Sequence, residues 1–194
     1  MYDNCDKNDN PNKLVTMKKL SMDELNRVST EEFKTQEKIP LVVVMDNVRS
    51  MYNVGSVFRT CDAFSVERLL LCGITACPPH KEIAKTALGA TESVDWKHYD
   101  TTTEAVVELK QIGYKVFAVE QVDTSVMLDQ LEIPASEKTA IVLGNEVFGV
   151  DDEVLALCDG AIEIPQNGTK HSLNVSIAGG IVIWEFFKKM TEAL

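Results

Sequence analysis

The sequence predicts an α/β protein with a mainly parallel sheet and helices on both faces of the sheet. Short, continuous apolar runs rich in β-branched residues are typical of strands buried on both sides. These runs alternate with segments of helical patterning, and that alternation favours parallel pairing. The predicted strands are 41–45, 68–72, 115–119, 139–143 and 161–164, and the predicted helices are 54–63, 103–111, 151–157 and 172–192.

The composition indicates one globular domain with an N-terminal extension. Of the 194 residues, 45% are hydrophobic, which is enough for a sizeable core and argues against a disordered regulator. The first dozen residues have almost nothing apolar to bury, whereas Ser21 and Glu24 have the spacing of a helix-capping pair. We therefore predict a disordered tail over 1–20, a helical extension over 21–39 with one helix at 21–38, and the main domain over 40–194.

The charge balance narrows the classes of partner. With 19 Lys and Arg against 30 Asp and Glu, the net charge is −11, which argues against indiscriminate binding of nucleic acid. Two stretches, 120–137 and 151–163, each carry five acids and no base, whereas segment 47–61 carries Arg49 and Arg59 and no acid. A modest basic cleft on an acidic body favours selective binding of a structured polyanion.

Neither a membrane segment nor a metal site is expected. The first residues lack the apolar run of a secretory signal, and the most apolar stretch, 177–184, is far shorter than the ~20 residues needed to span a bilayer. The five cysteines form no CxxC pair, and the three histidines lie elsewhere. We expect a cytoplasmic protein whose cysteines are ordinary buried thiols.

Ligands of open parallel sheets bind beyond the carboxyl ends of the strands, and three loops there carry unusual residues. In the first loop, Asn53 is predicted to cap the following helix, and Gly55 leaves room for a close neighbour. Arg59 is either a solvated surface arginine or a contact for an anion. Because the segment contains no acid, we favour contact between Arg59 and an anion.

The second loop, from Leu143 to Gly149, follows a buried strand directly. Its two glycines, Gly144 and Gly149, allow a tight turn and close approach of the backbone to a ligand. Glu146 is either part of a site or a carboxylate at a helix terminus, stabilised by the helix dipole. There is no GxGxxG, so a dinucleotide site is disfavoured.

The third loop runs from Ile164 through Gly168 to Ser172 and Asn174. It offers capping side chains and exposed backbone N–H groups at a helix start. Ser172 is either a site residue or the cap of the last helix. It lacks the GxSxG context of a hydrolase nucleophile.

Together the three loops resemble the signature motifs of the SpoU/TrmH family of RNA methyltransferases, a branch of the SPOUT class. The matching elements are Asn53-x-Gly55-x-x-x-Arg59, Gly144-x-Glu146-x-x-Gly149, Ile164-Pro-x-x-Gly168 with Ser172-Leu-Asn-Val-Ser176, and the intervening Lys85-Thr-Ala-Leu-Gly89-Ala90. The resemblance implies a C-terminal trefoil knot, S-adenosylmethionine (SAM) as methyl donor, a homodimer, and transfer to a ribose 2′-hydroxyl of tRNA or rRNA. In the last helix Ile177, Ile181, Trp184 and Phe187 suit either a dimer contact or the core.

The resemblance also implies roles for individual residues. Those expected to line the cofactor site are Leu143, Gly144, Asn145, Glu146, Gly149, Ile164, Gln166, Ser172, Leu173 and Asn174. Those expected to serve catalysis are Arg59, Asn53, Glu146, Ser172 and Asn174. Gln166 departs from the apolar residue, often Met, that is common at its position. A non-catalytic RNA-binding homologue is the alternative, and the retained site residues speak against it.

Overall fold

A seven-stranded parallel sheet forms the middle layer of the protein. The structure is a computed structural model that describes residues 17–21, 23–25, 28–170 and 172–191. Its strands are β1 (Ile39–Asp46), β2 (Val66–Cys72), β3 (Trp96–Tyr99), β4 (Lys115–Val119), β5 (Val126–Met127), β6 (Thr139–Leu143) and β7 (Gly160–Glu163). They lie in the order β3-β2-β1-β6-β4-β7-β5, and every neighbouring pair is parallel.

Helices cover both faces of this sheet, so the predicted fold class is confirmed. They are α1 (Thr30–Thr35), α2 (Met51–Ala63), α3 (Lys81–Ala87), α4 (Ala90–Ser93), α5 (Thr102–Gln111), α6 (Asp152–Leu155) and α7 (Val175–Thr191). In β1, Leu41, Val43 and Met45 face a core shared with α2, α3, α4 and α7, whereas Val42 and Val44 face one shared with α5 and α6. Because side chains alternate between two covered faces, β1 is apolar from Ile39 to Met45.

The predicted strands are all present, and the bounds of β4 and β6 match the apolar runs. The other elements, β3, β5, α3 and α4, were not predicted from the sequence. Both missed strands lie at the edges of the sheet, where β3 carries exposed Lys97 and His98, and β5 has only two residues. An edge strand is solvated on one side and shows no continuous apolar run.

The single helix predicted over 21–38 is wrong. Ser21 and Glu24 do form the reciprocal capping bonds, but they precede only a 3₁₀ turn, Asp23–Leu25. A second capping box, Ser29 with Glu32, starts α1, and it divides the segment. The buried side chain of Phe33 packs α1 onto the core that holds α2. Most of the predicted disordered tail, 1–16, lies outside the described residues.

The order of the strands decides which loops meet. Strands β1, β6, β4 and β7 are consecutive in the sheet, so their carboxyl ends lie side by side. The segments 47–50, 144–151, 120–125 and 164–174 follow these strands. All three loops singled out from the sequence therefore share one edge of the sheet.

Two further findings concern membrane segments and metal sites. No helix formed by the described residues is long and apolar enough to cross a membrane. In the same part of the chain, no group of three or more His, Cys, Asp or Glu side chains is placed to hold a metal ion. Burial raises the pKa of the Cys72 thiol to about 12, as expected for an unreactive core cysteine.

Candidate active site

The first predicted loop leads into α2, where Ser50, not Asn53, is the N-cap. The Ser50 Oγ accepts a hydrogen bond from the Asn53 backbone N–H at 3.3 Å, so the predicted capping role of Asn53 is wrong. Because Ser50 caps the helix, the side chain of Asn53, only 8% exposed, is available to neighbouring loops. The close approach predicted at Gly55 is confirmed, because a Cβ there would lie 2.3 Å from the Ile83 carbonyl oxygen of α3.

Glu146 of the second loop binds the start of α2. Its carboxylate accepts the backbone N–H groups of Arg49 and Ser50 and the Nδ2 of Asn53, each at 2.9 Å. Partial burial acts to raise the pKa of Glu146, but these donors outweigh it, and the net effect lowers the pKa. Glu146 is thus a carboxylate at a helix N-terminus and also the link between the first two loops.

Asn53 also reaches the third loop. Its Oδ1 accepts a hydrogen bond from Asn174 Nδ2 at 3.2 Å. Asn174 begins α7, since its Oδ1 accepts the Ser176 N–H and its carbonyl accepts the Ala178 N–H. The cap of the last helix is therefore Asn174 and not Ser172. One hydrogen-bonded chain, Glu146–Asn53–Asn174, joins the three loops.

The second loop is a tight turn closed by paired backbone bonds between Asn145 and Gly149, both 2.9 Å. The Asn145 side chain accepts the N–H groups of Val147 and Phe148 and donates to the Asn47 carbonyl. Gly149 has φ of +72°, and a Cβ there would lie 2.2 Å from the Glu120 Oε2. The tight turn predicted from the two glycines is confirmed.

A cavity of about 750 Å³ opens beside this turn, within the range of small-molecule sites. All ten residues that the sequence indicated for a cofactor line it, namely Leu143, Gly144, Asn145, Glu146, Gly149, Ile164, Gln166, Ser172, Leu173 and Asn174. One wall of the cavity was not predicted from the sequence: the residues that follow β4, including Glu120 and Gln121. The available signal was their position directly after a predicted parallel strand.

The cavity is acidic. Glu120, Glu146, Asp152 and Glu163 line it, and its described lining includes no Lys or Arg. An acidic cavity attracts a ligand that carries positive charge. The turn beside the cavity has no room for a side chain at Gly144, since a Cβ there would meet the Gly149 carbonyl carbon at 2.2 Å.

Arg59 lies outside this cavity. Its side chain is exposed on α2, six residues or about 9 Å along the helix from Asn53. It forms no hydrogen bond or ion pair with any residue that the structure describes. The structure thus unites Asn53, Glu146 and Asn174, places Ser172 on the cavity wall, and leaves Arg59 on the outer surface of its own chain.

The fold and the site define an α/β enzyme that binds a cationic cofactor at the carboxyl edge of a parallel sheet. The chain belongs to the SpoU rRNA methylase family, whose sequence model matches residues 40–184. This membership confirms the predicted class, an RNA methyltransferase that uses SAM.

Individual relatives agree with this assignment. The tRNA (guanosine(18)-2′-O)-methyltransferase of Thermus thermophilus is 32% identical over 88% of this chain and 86% of its own length. The crystal structure of the A. aeolicus TrmH/SpoU tRNA modifying enzyme matches with a TM-score of 0.74 and 29% identity, over 84% of this chain and 81% of that one. The AdoMet-bound rRNA methyltransferase from Sinorhizobium meliloti matches with a TM-score of 0.70 and 28% identity. The match covers 82% of this chain and 60% of that one.

Proposed function

We propose that this protein methylates a ribose 2′-hydroxyl of tRNA, acts as a homodimer, and works in the cytoplasm. The hydrogen-bonded chain Glu146–Asn53–Asn174 beside the acidic cavity carries the proposal, because it assembles the three motif loops in one place. The choice of tRNA rests on the Thermus thermophilus relative, a tRNA methyltransferase that this chain matches over most of its length.

The cavity suits the methyl donor in charge and in shape. SAM carries a sulfonium and an ammonium group, and the acidic lining complements both. Gly144 and Gly149 keep the turn tight, since a Cβ at either would collide with the protein itself, and the turn forms one wall of the cavity. When bound, SAM supplies an electrophilic methyl group. The lining residues hold it and exclude water from it.

Arg59 is the proposed catalytic residue on the RNA side. A guanidinium stays protonated at neutral pH, so it does not act as the base. It binds the phosphate next to the target ribose and stabilises the negative charge that develops on the 2′-oxygen. That phosphate would relay the hydroxyl proton to solvent, and the held geometry would keep the 2′-oxygen, the methyl carbon and the sulfur in line, so that the sulfur leaves as a neutral thioether.

A dimer accounts for the position of Arg59 outside its own cavity. On α7, Ile177, Ile181 and Trp184 are 56%, 39% and 50% exposed and lie four and three residues apart, which gives one apolar stripe. Phe187 instead packs against the core. The ring of Trp184 contacts Phe64, which ends α2, at 5.5 Å between centroids. The stripe is the proposed docking face for a second chain, and Arg59 is proposed to serve the cavity of that chain.

Substitution of Arg59 tests the function. Arg59→Lys keeps the charge but loses the planar fork, and Arg59→Ala loses both. We expect each to reduce kcat/KM for transfer of labelled methyl from SAM to tRNA by about 100-fold or more, which is typical of losing one donor to a developing oxyanion. SAM affinity by calorimetry should stay within about twofold, since Arg59 does not line the cavity.

Arg68→Lys is the matched control, because within the part of the chain that the structure describes Arg68 forms only a surface ion pair, with Asp95. A folded Arg59→Ala variant that still methylates tRNA would contradict the catalytic role. Wild-type protein that binds SAM and RNA but transfers no methyl group would instead identify a non-catalytic homologue.

A further inference from the structure

Tyr52 presents an aromatic ring to solvent at the start of α2. The residue is 48% exposed and directly precedes Asn53. Its carbonyl accepts hydrogen bonds from Thr86 Oγ1 of α3 at 3.0 Å and from Ser56 Oγ at 2.8 Å. The backbone beneath the ring is therefore held by a second helix, and the exposed ring is fixed to a rigid element.

Lys85 lies near this ring, and its partner Glu82 also lies near the Tyr52 side chain. The Lys85 Nζ lies 5.8 Å from the ring centroid, and Arg49, three residues before Tyr52, is exposed. Lys85 is paired with Glu82 at 2.9 Å, whereas neither Arg49 nor Arg59 has an acidic partner among the described residues. In a chain of net charge −11, this uncompensated positive charge favours a polyanion at this surface.

The spacing on α2 relates the ring to Arg59. Tyr52 and Arg59 are seven residues apart, so they project from the same side of the helix, about 10 Å from each other. Asn53, the neighbour of Tyr52, is bonded to Glu146 at the edge of the cavity. The ring thus lies between the motif loops and the arginine that we assign to phosphate.

We propose that Tyr52 is the platform on which an unpaired base of the RNA substrate stacks, next to the nucleotide that is methylated. This inference rests on the proposed function. Proteins that read single-stranded or looped RNA stack unpaired bases on exposed aromatic rings, with arginines on the backbone. The polar neighbours, Ser56, Arg49 and Lys85, make the patch unlike the apolar centre of a protein interface.

Three variants of Tyr52 test the platform. Tyr52→Ala and Tyr52→Leu remove the π-face, and Leu retains apolar volume. Loss of one base stack corresponds to about 5-fold to 150-fold weaker affinity, which we expect for tRNA binding by fluorescence anisotropy and for kcat/KM with tRNA. Tyr52→Phe keeps the ring and should stay within about twofold of wild type. SAM affinity should not change in any of the three.

Ile112→Ala, at the end of α5 on the other layer, controls for loss of an exposed apolar group. The proposal is overturned if Tyr52→Leu binds tRNA as wild type does, or if the variant becomes monomeric and loses affinity only for that reason. A failure of the Tyr52 proposal is distinguishable from a failure of the proposed function. The proposed function fails if the wild-type protein transfers no methyl group, whatever Tyr52 contributes to RNA binding.

Discussion

At the scale of single residues, Asn53 shows how neighbours decide a role. Sequence alone suggested a helix cap, because Asn is common there. Ser50 occupies that position, and both ends of the Asn53 amide are used between loops, with Nδ2 donating to Glu146 and Oδ1 accepting from Asn174. The partners lie far away in the chain, so no local pattern could reveal this contact.

Glu146→Gln tests the carboxylate of this link. The amide replaces one acceptor oxygen by a donor, which then faces a backbone N–H or the Asn53 amide. Because hydrogen bonds to a charged group contribute about 1.5–3 kcal/mol, we expect a loss of about 10-fold to 100-fold in kcat/KM for methyl transfer. The free energy of unfolding at neutral pH should also fall.

The pH dependence of stability follows from the lowered pKa of Glu146. The folded protein holds this carboxylate ionised below its ordinary pKa of 4.5, so the stabilisation is complete above that pH and is lost as the pH falls through the folded value. Urea unfolding between about pH 3 and pH 5 should therefore show a steeper loss in wild type than in Glu146→Gln.

At the scale of elements, the strands inside the sheet could be predicted from the sequence, whereas the strands at its edges could not. The apolar runs gave β4 and β6 their observed bounds because burial on both faces requires apolar side chains throughout. The edge strands β3 and β5 carry no such run. The contribution of Glu120 to the cavity depends on β4 lying between β6 and β7, and strand order is a property of the whole sheet.

Gly149→Ala tests the turn that follows β6. An alanine there has a left-handed backbone, which costs about 1–2 kcal/mol, and its Cβ would collide with the Glu120 carboxylate. We expect a lower Tm and at least about 10-fold weaker SAM binding by calorimetry, because the displaced turn forms the cavity wall.

Gly113→Ala is a matched control for this variant. Gly113 also has positive φ, at +90°, but a Cβ there would meet nothing within 4 Å. It should lower Tm and leave SAM affinity unchanged. Equal SAM affinities for the two variants would show that the Gly149 turn does not shape the cofactor site.

At the scale of the whole molecule, the charge is unevenly divided. The acidic cavity suits a cationic donor, whereas the cations near Tyr52 suit RNA, and a net charge of −11 limits binding to other polyanions. The trefoil knot implied by the family remains a prediction.

Ile181→Glu tests the proposed homodimer. A carboxylate in the middle of the α7 stripe would be buried without a partner, which strongly disfavours association. We expect sedimentation to show the mass of one chain in place of two, and methyl transfer to fall by at least about 10-fold. Ile112→Glu makes the same change on an exposed residue of the other layer and should remain dimeric. A wild-type protein that sediments as one chain would refute the dimer.

The bonds of Asn53 have a consequence for how the protein is made. Its two partners lie 93 and 121 residues further along the chain, in the last third of the sequence. During synthesis the N-terminal strands and α2 emerge long before those partners exist, and contacts of such separation form late. A chain truncated before α7 lacks Val175 and Ala178 of the cavity lining, so we expect it not to bind SAM.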